Sequence, residues 1–179
     1  MNIINKIGTD YYPEVTKKDT IILHYTAGLY PGSEETLKIK DYVNVHYQIL
    51  KNGNIHNYIS PMYWAYHTGS GAKNDRRFIG IEMECWGHLT RKDNALYTWT
   101  NRKIPWDNVV RCKPFRGFEY WEKLTNEQID SLLWLIEYLN DYFDLDYKHR
   151  LKVHTHAQYK KTKLDYPPDY PQLIKIVTK

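Results

Sequence analysis

Apolar residues gather in short runs along this chain, and these runs predict the strands of a sheet. Each run is only a few residues long and ends at turn-forming residues, which is typical of strands rather than long helices. Between two of the runs lies Lys51-Asn52-Gly53, and Asn-Gly suits the positive φ angles of a tight hairpin turn. The predicted strands lie at 19–26, 45–50, 54–59, 78–83 and 151–155.

Helical spacing is clearest after Thr125. Thr125 and Gln128 form a capping-box pattern, and apolar residues then recur at i, i+3, i+4 and i+7, which predicts an amphipathic helix to about residue 143. A shorter helix is predicted from Ser33 to about Tyr42, and a terminal helix over 171–177.

Strands that alternate with helices predict an α/β fold, with a central mixed β-sheet flanked by helices. We expect one domain over residues 1–179. Residues 87–120 show no clear period, and we predict a long irregular insert there. Its tryptophans, Trp99 and Trp106, are consistent either with a wall of a substrate groove or with a separate apolar patch.

Composition, charge and cysteine content argue against several classes of protein. Hydrophobic residues make up 42%, and no apolar run approaches the ~18 residues of a spanning helix, so we expect no membrane insertion. A net charge of +4 without an arginine-rich stripe gives no reason to expect nucleic-acid binding. Cys85 and Cys112 are too far apart for a CxxC metal site, and we expect reduced, partly buried thiols. The first residues lack a sustained apolar segment, so we expect no signal peptide and synthesis in the cytoplasm.

Histidines supply the candidate chemistry. His24 lies inside an apolar strand, where it is either a buried core or cleft histidine or a metal ligand. His154 and His156 are two apart on the last predicted strand and so share one face, and Asp165 follows in the next loop. Two imidazoles and a carboxylate suffice for a catalytic zinc, although all of these are also ordinary polar surface residues.

A succession of short motifs gives these residues a context. In order they are Ile-Ile-Leu-His-Tyr-Thr-Ala-Gly (21–28), Val-His-Tyr-Gln-Ile-Leu-Lys-Asn-Gly (45–53), Trp-Ala-Tyr-His-Thr-Gly (64–69), Ile-Gly-Ile-Glu (79–82), Thr-His-Ala-Gln-Tyr (155–159) and Lys-Leu-Asp-Tyr-Pro (163–167). This succession resembles the zinc-dependent N-acetylmuramoyl-L-alanine amidases of the amidase-2 and peptidoglycan recognition protein superfamily. The resemblance covers about residues 19–170. Each motif alone is weak, but their order and spacing are specific.

The resemblance implies a bound Zn²⁺ with His24, His156 and Asp165 as its ligands. His154 is the rival for the second ligand, because the spacing from histidine to aspartate varies in the family. His156 matches the family pattern better, which leaves His154 as a neighbour of the site or a substrate contact.

The resemblance also implies catalytic roles for Glu82 and Lys163. Glu82 matches the glutamate that acts on the attacking water, and Lys163 matches a lysine that stabilises the oxyanion. Some phage members use a tyrosine directly before the histidine of the second motif. That position is Val45 here, so a tyrosine cannot act there and Glu82 is the stronger candidate for the catalytic role.

Further residues are implied to contact the substrate in a surface groove. They are His46, Tyr47, Trp64, His67, Asn74 and His154. The implied reaction is hydrolysis of the amide between N-acetylmuramic acid and L-alanine in peptidoglycan or a muropeptide. We expect a monomeric phage-type endolysin that reaches the wall by holin-type release. The alternatives are a non-catalytic peptidoglycan-binding recognition module, a muropeptide-recycling amidase, and a structural component of a phage or secretion particle.

Overall fold

The computed structural model describes residues 1–178. In chain order the strands are β1 (Ile3–Asn5), β2 (Tyr12–Val15), β3 (Thr20–Tyr25), β4 (Lys38–Ile39), β5 (Val43–Asn44), β6 (Tyr47–Ile49), β7 (Ile55–Asn57), β8 (Tyr63–Trp64), β9 (Phe78–Met83), β10 (His88–Lys92), β11 (Ala95–Tyr97), β12 (Lys103–Ile104), β13 (Val109–Phe115), β14 (Phe118–Glu122) and β15 (Lys152–Thr155). The helices are α1 (Gly32–Thr36), α2 (Ala72–Asp75), α3 (Asn126–Tyr142) and α4 (His156–Tyr159).

Strands from distant parts of the chain form one mixed sheet in the order β1-β7-β6-β9-β3-β15. Strands β6, β9, β3 and β15 run parallel to one another, whereas β7 pairs antiparallel with β6. Parallel strands at the centre of a sheet are covered on both faces, so β3 and β9 are almost continuously apolar and buried. The predicted α/β fold, a single domain on a central mixed sheet, is confirmed.

Helix α3 covers one face of this sheet and begins where the capping box predicts. The Thr125 hydroxyl accepts a hydrogen bond from the Gln128 N–H (3.1 Å), and the Gln128 side chain accepts one from the Thr125 N–H (3.0 Å). Leu132, Leu135 and Leu139 place the apolar face of the helix in the main core. Within residues 1–178, no helix combines the length and the apolar character needed to cross a membrane.

The predicted hairpin is formed by β6 and β7, and its turn is hydrogen-bonded to α3. Gly53 has φ +83°, and its carbonyl accepts a hydrogen bond from the Ser131 hydroxyl (2.7 Å). A Cβ at Gly53 would lie 3.0 Å from both the Glu127 carbonyl and the Ser131 hydroxyl. Glycine is therefore required here both by the backbone angle and by the close approach of the helix.

The predicted helix from Ser33 to Tyr42 is wrong over its second half. Helix α1 ends at Thr36, and the chain continues as the short hairpin β4–β5. Backbone groups that a longer helix would use are engaged elsewhere, since the Val45 N–H donates to the Leu37 carbonyl (3.2 Å). Tertiary pairing thus overrides local helical preference.

The predicted terminal helix over 171–177 is also wrong, because these residues form successive turns. Leu173 is buried in the main core, and the Thr178 N–H donates to the carbonyl of Val153 on the edge strand β15 (2.7 Å). These residues are therefore held by contacts with β15 and the main core rather than by the repeating hydrogen bonds of a helix.

The predicted irregular insert at 87–120 is likewise wrong, because this part of the chain forms a second sheet. Its antiparallel strands lie in the order β12-β11-β10-β14-β13 around a small core of Leu89, Leu96 and Ile104. The strands are short and largely exposed, so they bury too few residues to produce a clear alternation. Val110 and Trp121 also reach the main core and join the two sheets.

Both cysteines are free thiols, as expected, and are buried. Burial raises the pKa of the Cys112 thiol to about 12, with the Asp169 carboxylate contributing in the same direction. Burial also raises the pKa of Cys85. Neither thiol is therefore ionised near neutral pH, and both behave as small apolar core residues.

Gly53→Ala is expected to destabilise the fold more than Gly117→Ala. Both glycines have positive φ, but a Cβ at Gly117 would meet no atom within 4 Å. In each variant the left-handed backbone lowers the free energy of unfolding by about 1–2 kcal/mol. Overpacking against α3 lowers it by about 1–3 kcal/mol more in Gly53→Ala. Urea unfolding of the two variants measures the difference. Equal losses would show that the contact with α3 is unimportant.

Candidate metal centre

Parallel strands bring the candidate ligands to one edge of the central sheet. His24 lies near the carboxyl end of β3, directly beside Glu82 on β9. On the other side of β3, strand β15 ends at Thr155, so His156 follows immediately as the first residue of α4. Asp165 lies in the loop after α4, and its carbonyl accepts a hydrogen bond from the Ala157 N–H (2.8 Å). The carboxyl ends of parallel strands meet at one edge, which explains this convergence.

Three side chains meet closely enough to share one cation. His24 Nδ1 lies 2.9 Å from His156 Nδ1, which lies 2.9 Å from Asp165 Oδ2. The third pair, His24 Nδ1 and Asp165 Oδ2, is 3.7 Å apart. All three residues are buried, and one ligand atom from each lies within 4.8 Å of the others.

Hydrogen bonds on the far side of each ring determine which nitrogens carry the protons. His156 Nε2 is 2.8 Å from the Thr68 carbonyl, which only accepts, so Nε2 is the donor and Nδ1 is the ring atom that can bind a metal. His24 Nε2 is 2.9 Å from His67 Nδ1. The His24 tautomer that donates from Nε2 to His67 presents its Nδ1 lone pair to His156 and Asp165.

Electron-pair donors therefore converge in a buried space. Burial lowers the pKa of His24 to about 4, with the neighbouring His156 acting in the same direction, so this ring is neutral near pH 7. Burial acts to raise the pKa of Asp165, but the adjacent His156 and His24 rings outweigh it and lower the pKa to about 2. Two imidazoles and a carboxylate are a donor set that suits a transition-metal ion and leaves room for a further ligand.

Glu82 is the unpaired acid beside this cluster. Its Oε2 atom is buried and makes no hydrogen bond to residues 1–178. Burial raises the pKa of Glu82 well above its ordinary value; the Asp165 carboxylate adds to this and the Lys163 ammonium opposes it. A buried carboxyl without a partner is costly to the fold, which is typical of a functional rather than a structural residue.

A cleft of about 360 Å³ opens onto the cluster. The predicted ligands and catalytic residues all line it, together with His67. The full lining is His24, Tyr25, Thr26, Ala27, Thr36, Leu37, Tyr42, Val43, His67, Glu82, His88, His156, Thr162, Lys163, Leu164 and Asp165.

Gly80 explains why the Ile-Gly-Ile-Glu stretch matters to this site. A Cβ at Gly80 would come within 2.9 Å of the His67 ring, so the bare backbone of β9 makes room for that histidine. Glu82 lies two residues further along the same strand and therefore points to the same face.

His46 and Tyr47, which were expected to contact substrate, lie away from the cleft. His46 is buried, with Nδ1 accepting from the Gly80 N–H (3.0 Å) and Nε2 donating to the Tyr63 carbonyl (3.0 Å). Both ring nitrogens are thus used inside the protein. Tyr47, on β6, packs in the main core. Neither residue lines the cleft.

Trp64, Asn74 and His154 also lie outside the cleft lining. The Trp64 ring stacks on Tyr12 with centroids 4.0 Å apart, and Asn74 donates to the Ser70 carbonyl (3.3 Å). His154 stacks on Tyr159 with centroids 5.4 Å apart. It is His156, rather than His154, that reaches His24 and Asp165.

Sequence reasoning missed two parts of the site. The Thr68 carbonyl orients His156, but a backbone group has no sequence signature of its own. Tyr25 and His88 form one wall of the cleft, with the Tyr25 hydroxyl 3.0 Å from His88 Nδ1. The adjacency of Tyr25 to His24 was the available hint, whereas His88 lies in the part that was predicted to be irregular.

Solved structures of amidases and a recognition protein share this fold. AmiD from E. coli, solved with the substrate anhydro-N-acetylmuramic acid-L-Ala-D-gamma-Glu-L-Lys, is 21% identical with a TM-score of 0.62, and the match covers 93% of this chain and 60% of that one. The amidase LysC from Clostridium intestinale is 16% identical with a TM-score of 0.61, covering 99% of both chains. Drosophila peptidoglycan recognition protein SD is 13% identical with a TM-score of 0.58, covering 98% of this chain and 94% of that one.

The family comparison goes beyond the fold. No curated protein sequence matches this chain significantly. The family model described as N-acetylmuramoyl-L-alanine amidase (Amidase_2), however, matches residues 14–168, most of the chain. The order of motifs along the sequence and the cluster at the sheet edge agree with that match. The chain therefore belongs to the N-acetylmuramoyl-L-alanine amidase family.

Proposed function

We propose that this protein is a zinc-dependent hydrolase of the amide between N-acetylmuramic acid and L-alanine in peptidoglycan. The observation that carries the proposal is the convergence of two imidazole lone pairs and a carboxylate beside the unpaired acid Glu82. Membership of the amidase family and the structural likeness to AmiD, which was solved with a muropeptide substrate, support the same substrate class.

In this proposal His24, His156 and Asp165 hold the metal. Bound zinc would polarise the amide carbonyl and lower the pKa of water toward ~7. The protein contributes the orientation of the ligands: the Thr68 carbonyl and His67 fix the far nitrogens of the two rings. Such outer partners hold a ligand in one tautomer and one direction.

Glu82 is the proposed general base and then the general acid. It takes a proton from the attacking water as the new C–O bond forms, and returns that proton to the amide nitrogen as the C–N bond breaks. Its raised pKa, caused first by burial, suits a group that must both accept and give a proton. The products are the muramic acid carboxylate and a stem peptide with a free amino terminus.

Lys163 is the proposed partner of the developing oxyanion. It lines the same cleft, and its charge acts on Glu82 from within that cleft. A positive charge beside developing negative charge lowers the barrier most where water is excluded.

The setting that we propose is a phage-type endolysin that acts on the cell wall. The structural likeness to an endolysin amidase from Clostridium intestinale, with a TM-score of 0.59 and 16% identity, supports this setting. Holin-type release and a monomeric state belong to the same proposal. A recognition module that binds peptidoglycan without cutting it would leave Glu82 without a role.

The reaction is tested by digesting purified peptidoglycan with zinc-loaded and with chelator-treated protein. Mass spectrometry of the released products should find stem peptides that begin at L-alanine, and only with the zinc-loaded protein. Sedimentation of the protein with the wall and no released peptide would instead identify a recognition module.

Glu82→Gln is expected to keep the metal and to lower turnover by about 10²–10⁴-fold, because glutamine cannot carry the proton. Glu84→Gln is the matched control. Glu84 is also buried and follows the same strand, but its carboxylate accepts hydrogen bonds from the backbone N–H groups of Tyr30 and Lys51. Metal content and kcat are compared at equal folded protein. Near-normal turnover in Glu82→Gln would contradict the role of the base.

His156→Ala is expected to weaken zinc binding by more than the about 10–100-fold that loss of an outer partner causes. His154→Ala, two residues away and stacked on Tyr159, is expected to leave zinc affinity unchanged. Competition with a chromogenic chelator measures both affinities. A larger loss in His154→Ala than in His156→Ala would reverse the assignment of the second ligand.

A further inference from the structure

A large aromatic side chain at the tip of the second sheet is exposed and yet held in place. Trp99 lies in the turn between β11 and β12 and is 66% exposed. Its indole Nε1–H donates a hydrogen bond to the carbonyl of Ala27, a residue distant in the sequence (2.7 Å). Exposing so much apolar surface at a fixed position has no evident structural benefit.

The residue that anchors Trp99 belongs to the metal cleft. Ala27 follows β3, three residues after His24, and lines the cleft. The hydrogen bond to Ala27 therefore attaches the tip of the second sheet to the rim of the site.

The turn that carries Trp99 is braced by its own hydrogen bonds. The Thr98 N–H donates to the Arg102 carbonyl (2.9 Å), and the Arg102 N–H donates to the Thr98 hydroxyl (3.1 Å). The Thr98 and Thr100 hydroxyls are 2.8 Å apart. A ring fixed in this way loses little conformational entropy when a ligand packs on it.

The occupied Nε1–H limits what Trp99 can recognise. The indole has no other hydrogen-bonding group, so a partner must be held through the flat apolar face of the ring. Within the proposed substrate, pyranose rings present flat faces of C–H bonds of matching size. The first residues of the stem peptide offer only a methyl group and a charged chain.

We propose that Trp99 forms a sugar-stacking subsite at the rim of the cleft, which binds an N-acetylhexosamine ring of the glycan strand. This inference rests on the proposed function for its substrate class. It assigns the second sheet a role in holding the glycan while the scissile amide lies at the metal centre.

Trp106 provides a matched control in the same sheet. It is 49% exposed, and its Nε1–H also donates to a backbone carbonyl, that of Asn94 (3.2 Å). Unlike Ala27, Asn94 is not a residue of the cleft lining, and the Trp106 ring packs edge-on against Tyr120 with centroids 5.7 Å apart.

The test measures sedimentation of metal-stripped protein with peptidoglycan sacculi and its affinity for soluble glycan strands freed of stem peptides. Trp99→Ala is expected to weaken binding to both by about tenfold, a typical loss when a stacking aromatic is removed. Trp99→Phe should retain most of the affinity, and Trp106→Ala should equal the wild type. In the zinc-loaded protein, Trp99→Ala should raise KM on sacculi and leave kcat unchanged.

Equal binding by Trp99→Ala and Trp106→Ala would overturn the proposal. Loss of binding to sacculi with unchanged binding to the peptide-free glycan would overturn it too, since the ring would then contact the peptide. Because these measurements need no turnover, they remain decisive if the wild type releases no stem peptide. That result would refute the amidase activity and leave the glycan subsite standing.

Discussion

The Nδ1 atoms of His24 and His156 face each other at 2.9 Å, with a carboxylate oxygen of Asp165 beside them. These atoms form a close, buried cluster of electron-pair donors that a shared proton or a bound cation stabilises, since burial denies them the compensation of water. The fold tolerates this arrangement because β3 is held in parallel register between β9 and β15. The site is therefore a property of the sheet, and any change in that register would separate the ligands.

Further contacts hold the side chains of this cluster in position. The Thr68 carbonyl and the His67 ring contact the far nitrogens of the two imidazoles that are the candidate metal ligands, and so orient both rings. Gly80 leaves the space into which His67 packs. Glu82, on the same strand, remains an acid with a free oxygen because no neighbouring donor within residues 1–178 reaches it. A network that orients the ligands and leaves one acid unpaired is what a hydrolytic site needs.

The second sheet gives the site a further wall. It shares the main core through Val110 and Trp121, so it is held rigidly against the central sheet. It reaches the cleft through His88 and the Trp99–Ala27 hydrogen bond, and Arg116, in its β13–β14 turn, donates to the Lys163 carbonyl. Substrate contacts can thus be supplied by an element separate from the one that performs the chemistry.

The sequence by itself determined the main strands of the central sheet, the capped helix α3 and the hairpin turn at Gly53, because each depends on local pattern or backbone angle. The ordered motifs also predicted His24, His156, Asp165, Glu82 and Lys163 as site residues, and the fold brings all five to one cleft.

Tertiary structure alone decided the rest. Whether His46 faces the substrate or the core depends on which backbone groups pack against its two nitrogens, and the sequence carries no record of that. The second sheet escaped prediction because strands that bury only one or two residues each are formed by pairing with one another rather than by their own periodicity. The motif pattern favoured His156 over His154, but only the fold shows the geometry: the turn from β15 into α4 brings the His156 ring to His24 and Asp165 and leaves His154 against Tyr159.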